Sequence, residues 1–258
     1  MSAFIRDKIV YRVQHLGEIV EGRDRPYGLA SALEEAQGKG LEAASLPYLI
    51  QLRNDCADFA DPLWVHWFFG MSGVYHIGDA FFFSHGNDHP LARPGRIRSA
   101  IDSGLISGAA RLTPLESVRI YSPGTMIDYE DFLPRSARQA LPEPYTIRAD
   151  ASLFHGLKND YLSLKTWMND PRAIIYTGGK NAAEQYAERL RQHEQTAAYL
   201  SLDTVEDLPD WGRLLFLLDG SGGLGGDGNL DGNGRFVGVA PEAQSVKKKS
   251  LEPEGRSA

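Results

Sequence analysis

The apolar positions of this chain come in short runs, and the spacing inside each run predicts the element it builds. In NAAEQYAERLRQHEQ (181–195), Ala182, Ala183, Tyr186, Ala187 and Leu190 make one stripe, with Glu184, Glu188, Arg189 and Arg191 largely off it. That is the spacing of an amphipathic helix. On either side lie AIIYT (173–177) and AAYLSLD (197–203), which read as strands. A strand, a helix and a strand within about thirty residues predict a right-handed parallel crossover.

Other runs extend the pattern. Strands are expected over 7–14, 116–123, 145–149, 213–219 and 235–240. Helices are expected over 31–60, broken near Gly38 and Gly40, and over 93–104, with Pro94 in the first turn and Gly104 as the stop. A further helix is expected over 155–171, ended by Asp170-Pro171. Residues 63–83 are so apolar that periodicity does not separate two strands from a helix and a strand. Together these runs predict an α/β or α+β fold. It would be a single mixed-sheet domain over 1–240, with at least one βαβ crossover near 173–203 and a C-terminal hairpin. Residues 241–258 are polar and charged, and are expected to form a disordered tail.

Composition narrows the function classes. A net charge of −7 argues against a general nucleic-acid binder, which needs a positive face. The single cysteine, Cys56, admits no intramolecular disulfide and no paired-cysteine zinc site. Three aspartates in RNDCADFAD would raise its pKa and blunt it as a nucleophile. The stretch 63–83 approaches membrane length but carries His66, His76 and Asp79, so a buried core segment is expected. The start of the chain lacks the apolar region of a signal peptide. A soluble, cytoplasmic protein with no membrane partner is expected.

Three stretches carry candidate chemistry. The first is the turn at Gly178 and Gly179, where free N–H groups at a helix start, close backbone approach and Lys180 would suit a phosphate. Asp203, at the end of the next strand, stands about where a dinucleotide fold places a ribose-binding acid. The third glycine of the dinucleotide fingerprint is absent. A plain corner capped by Asn181 and Glu184 accounts for the same residues.

The second is YHIGDAFFFSHGNDHPLARPGR (75–96), with His85, Asp88 and His89 just after an apolar strand. Histidine and aspartate suit acid–base work, and Arg93 and Arg96 could hold a phosphate or carboxylate. Arg12, on an apolar strand, could add a further anion contact, with Glu116 as a partner carboxylate in an NAD-using transferase. The third is DGNLDGNG (227–234), where Asp227, Asn229, Asp231 and Gly232 match the first positions of a calcium loop. The bidentate glutamate at the loop's last position is replaced by Gly238, so calcium is a weak candidate and a Gly-rich hairpin loop the plainer one.

Two functions are compatible with these residues. The leading one is an enzyme, a hydrolase or transferase, acting on a phosphorylated small molecule such as a nucleotide or an NAD-like substrate. His85, Asp88 and His89 would be catalytic, and Arg12, Arg93, Arg96, Gly178, Gly179, Lys180 and Asp203 would bind substrate. The alternative is a non-enzymatic binding protein with a protein partner and a weak calcium-binding loop. Convergence of the 85–96 loop, Arg12 and the 178–181 turn on one cleft would favour the enzyme.

Overall fold

A computed structural model describes residues 17–120, 126–205 and 208–240. The expected strand at 7–14, with Arg12, and the tail at 241–258 lie outside the described residues. The strands are β1 (Gly17–Gly22), β2 (Glu42–Ala43), β3 (Phe68–Ile77), β4 (Ala80–His85), β5 (Ala110–Arg111) and β6 (Met126–Asp128). They continue with β7 (Tyr145–Asp150), β8 (Asp160–Ser163), β9 (Ala197–Ser201), β10 (Asp210–Leu217), β11 (Leu224–Gly225) and β12 (Gly234–Val239). The helices are α1 (Gly28–Gly38), α2 (Leu46–Asp55), α3 (Pro62–Val65), α4 (Pro94–Asp102) and α5 (Pro114–Ile120). After them come α6 (Tyr129–Ser136), α7 (Leu164–Trp167), α8 (Pro171–Thr177) and α9 (Lys180–Gln192).

The mixed sheet anticipated from the sequence is present. It runs β6-β7-β4-β3-β10-β11-β9-β8, with β5 on β10; β6/β7 and β11/β9 are parallel and the other pairs antiparallel. A smaller antiparallel sheet, β1-β12-β2, carries α1. Gly234 permits that contact, because a Cβ there would lie 2.3 Å from the Leu29 Cα.

The large sheet is buried on both faces, which explains the unbroken apolar run 63–83. Successive side chains of a strand point to opposite faces. Phe68, Val74, Phe81 and Phe83 join one core with Trp64, Trp167 and Trp211. Phe69, Tyr75 and Phe82 join another with Leu29, Leu33 and Phe236. No helix among the described residues is long and apolar enough to cross a membrane.

Five local expectations are corrected. Residues 173–177 form α8, not a strand, so no crossover begins there. Asp170 accepts from Arg172 N at 2.9 Å and Pro171 occupies the first turn, a helix start in place of the helix stop expected from Asp-Pro. Residues 116–120 belong to α5, not to a strand. Thr113 and Glu116 form a reciprocal cap: Thr113 N donates to Glu116 Oε2 at 2.9 Å and Glu116 N to Thr113 Oγ1 at 3.3 Å. The expected helix 155–171 is largely replaced by β8 and α7. The C-terminal hairpin forms differently, since β10 pairs with the short β11 while β12 leaves to pair with β1 and β2.

Candidate functional site

The 178–179 turn is a helix-to-helix corner. Gly178 adopts φ 85° and Gly179 φ 149°, and the N–H groups of Gly178 and Gly179 return to Ile175 O (3.1 Å) and Ile174 O (2.8 Å). These two bonds end α8 in the Schellman arrangement. Protein fills the space beside it: a Cβ on Gly179 would lie 2.7 Å from Ser136 Cβ, and one on Gly178 3.0 Å from Pro47 Cβ. Lys180 bonds Asn169 Oδ1 and Met168 O and pairs with Glu184 at 3.7 Å. Asn181 does not cap α9 as expected; Gly179 is the cap residue, and Asn181 donates to Ala137 O at 2.8 Å. Asp203 accepts from Asn159 Nδ2, which also ties β9 to the loop before β8.

The residues expected to be catalytic are divided by the sheet. By strand alternation His85 lies on the face of Phe81 and Phe83, while Ser84 lies on the face of Phe82. His85 is 1% exposed and its Nδ1 is 2.8 Å from Ser72 Oγ, on the residue opposite it in β3. His89 lies next to Tyr75, with Nδ1 2.6 Å from the phenol oxygen. Burial pushes both histidines down to about 3, weakly opposed at His85 by the Ile175 backbone and reinforced at His89 by His85. Two neutral imidazoles so hard to protonate are poor proton carriers near neutral pH. Asp88 is exposed and stands 3.8 Å from Arg119.

Arg96 is not available to an anion. It makes a two-point contact with Glu116, including Nη2–Oε2 at 3.0 Å, and Nη2 also donates to Arg111 O at 2.6 Å. Glu116 therefore serves α5 and α4, and Arg93 is exposed at the start of α4. Asp227 accepts from Ser201 Oγ at 2.6 Å and Tyr199 OH at 3.4 Å, and its carbonyl accepts from the buried Arg213 at 2.7 Å. Asn229 and Asp231 are exposed. Both Asp227 carboxylate oxygens are engaged by β9 in this arrangement. Among the described residues no cluster of three or more His, Cys, Asp or Glu could hold a metal ion.

One cleft does gather chemistry. It encloses about 210 Å³ between β4, β7 and α5, and is lined by Ser84, Asp88, His89, Arg119, Ile120 and Thr146. Ser84 and Thr146 face each other across β4 and β7, with hydroxyls 2.9 Å apart. Leu115 and Val118 stand on the exposed side of α5, 83% and 69% accessible. Sequence reasoning found His89 and Asp88 but missed Arg119, Thr146 and α5. Thr113-Pro114-Leu115-Glu116 carried the missing signal, a threonine cap followed three residues later by glutamate.

No family model matches the chain, and no curated protein matches it in sequence. A solved structure described as "Accommodation of massive sequence variation in Nanoarchaeota by the C-type lectin fold" is similar in shape, at TM-score 0.68 and 22% identity, over 90% of this chain and 100% of that one. The fold is a C-type lectin fold. This overturns the expectation of a hydrolase or transferase on a nucleotide or NAD-like substrate. Among the described residues, Gly178, Gly179, Lys180, Asp203 and Arg96 are engaged by the protein's own groups, and Arg93 is exposed at the start of α4. The non-enzymatic alternative fits the architecture better.

Proposed function

We propose that the protein is a non-enzymatic binding protein that recognises a protein partner at the cleft between β4, β7 and α5. The observation that carries this reading is the C-type lectin fold itself, matched over most of the chain. The similar structure is described as accommodating massive sequence variation; carried to this chain, a stable frame with exchangeable surface positions suits recognition better than a fixed catalytic constellation. The rim supports a protein over a carbohydrate. Leu115 and Val118 are three residues apart on one helix and present adjacent aliphatic surface to solvent. A sugar ring is better served by an aromatic face.

Selection of binders from a displayed peptide library tests the reading, with a glycan array run in parallel, each with and without calcium. Enriched peptides should bind the native protein and lose affinity for the Leu115→Glu/Val118→Glu variant. The variant's stability should stay within about 0.5 kcal/mol of the native protein, as both sites are exposed. Peptide binding indifferent to the rim, or turnover of nucleotides by the purified protein, would sink the proposal.

A further inference from the structure

His85 and His89 are arranged alike around the ring and differ in that only His89 lines the cleft. Each Nδ1 meets a hydroxyl from β3, Ser72 for His85 and Tyr75 for His89. Each hydroxyl oxygen also receives a backbone N–H, from Leu46 at 3.0 Å and from Leu91 at 3.4 Å. A hydroxyl oxygen that accepts from the backbone keeps its own proton to give to the remaining neighbour, here Nδ1, and that is the tautomer the inference uses. A neutral imidazole accepting at Nδ1 carries its hydrogen on Nε2. At both rings Nε2 is buried without a hydrogen-bond partner, and of the two it is the His89 ring that lines the cleft.

A buried N–H without an acceptor is unfavourable, and a ligand atom that accepts from it relieves that cost. The other polar groups indicate what kind of acceptor fits. Arg119 supplies a guanidinium with a 55% exposed side chain, paired to Asp88 only at 3.8 Å. So exposed a contact is worth little and is readily exchanged. Ser84 and Thr146 share one hydroxyl–hydroxyl bond, which leaves one hydroxyl hydrogen free to donate. Three kinds of donor thus face the cleft, while Asp88 at its mouth disfavours a dianion. A singly charged, flat anion suits this set better than a phosphate.

We infer that the cleft receives a carboxylate of the partner protein, held by His89 Nε2–H and the Arg119 guanidinium, with the apolar neighbours of that carboxylate resting on Leu115 and Val118. This rests on the binding reading above. The same chemistry comes from an acidic side chain or from a chain terminus, and a peptide pair separates the two sources.

The experiment follows the histidine side-chain 15N–1H signals of the full chain near neutral pH. His89 should show a protonated Nε2 before any ligand is added. Acetyl-Leu-Glu-amide supplies a side-chain carboxylate and acetyl-Leu-Leu a terminal one; acetyl-Leu-Gln-amide, glucuronate and inorganic phosphate are the comparisons. At least one acidic peptide should shift the His89 Nε2–H signal saturably, with the glutamine peptide about tenfold weaker or worse. Arg119→Gln, an exposed change that leaves the fold intact by circular dichroism, should weaken the acidic peptide by about tenfold. An unprotonated Nε2, equal binding of the glutamine peptide, tighter binding of glucuronate or phosphate, or indifference to Arg119→Gln each overturns the carboxylate. If that happens while the Leu115→Glu/Val118→Glu variant still loses its selected peptides, the binding reading survives without it. If rim and cleft variants are both silent, the site itself is wrong.

Discussion

Arg172 and Asp170 form a buried ion pair at the start of α8, with Nη2–Oδ2 at 2.8 Å and Nε–Oδ1 at 3.0 Å, and side chains only 2% and 6% exposed. The same carboxylate caps the helix through Arg172 N, and the guanidinium reaches on to Lys158 O and Asn159 Oδ1. One pair thus fixes the segment leading into β8 and the helix leading into the 178–179 corner. Removing the acid strands a buried cation. Asp170→Ala is expected to cost about 3–5 kcal/mol in urea unfolding, and Asp170→Ser/Arg172→Met, which removes both charges and keeps a capping oxygen, distinctly less. A single variant no worse than the double one would mean that the pair does not hold this segment.

Glu143 makes stability depend on pH in the direction opposite to most carboxylates. Burial pushes it up to about 7 from its ordinary 4.5, with the Ser45 hydroxyl, 2.5 Å away, working to lower it. Between those values the folded protein holds a proton that the unfolded chain has lost. Stability from this site is therefore present at acid pH and falls as pH rises from about 4.5 through 7. Glu143→Gln keeps an acceptor for Ser45 and carries no charge. It should be close to neutral at pH 5 and stabilising by about 1–3 kcal/mol at pH 8, the lower figure allowing for partial access of solvent. Denaturant midpoints of both proteins across that range give the answer; parallel pH profiles would count against the buried-acid account.

How legible the molecule was from its sequence depends on what surrounds each element. The periodic stripe of α9 and the short apolar runs of β7, β9, β10 and β12 matched the structure because their own sequence decides them. Helix α8 did not, because AIIYT favours strand by composition and is made helical by Asp170-Pro171 before it and Gly178 after it. Helix α5 was missed in the same way, its β-branched residues outweighing a cap written at Thr113 and Glu116. The cleft was half legible. His89 and Asp88 stand out as residue types, but only the Ser84–Thr146 register of β4 on β7 and the return of α5 bring Thr146 and Arg119 to them. Those are long-range pairings that local pattern does not encode. The split of His85 from His89 is visible only once β4 is known to continue to residue 85 and to face a core on each side.

The two glycines that suggested a phosphate cradle make separable predictions as a structural corner. Gly178 occupies the left-handed position that ends α8, where an L-residue is strained, and a Cβ there would press on Pro47 at 3.0 Å. Gly178→Ala should cost about 1–2 kcal/mol. Gly179 is held at φ 149°, a region open chiefly to glycine, and its added Cβ would meet Ser136 Cβ at 2.7 Å and Oγ at 3.0 Å. Strain and collision act together there, so Gly179→Ala should cost more, about 2–4 kcal/mol. Trimming the neighbour in Gly179→Ala/Ser136→Gly relieves the collision and leaves the strain, so the double variant should recover part of the loss relative to Ser136→Gly alone. Thermal midpoints of the four variants separate the two contributions. A phosphate cradle predicts another pattern: the Gly179 variant would fold normally and lose a nucleotide-induced rise in the midpoint. The packing of Ser136 and Pro47 against the corner leads us to expect no such rise even in the native protein.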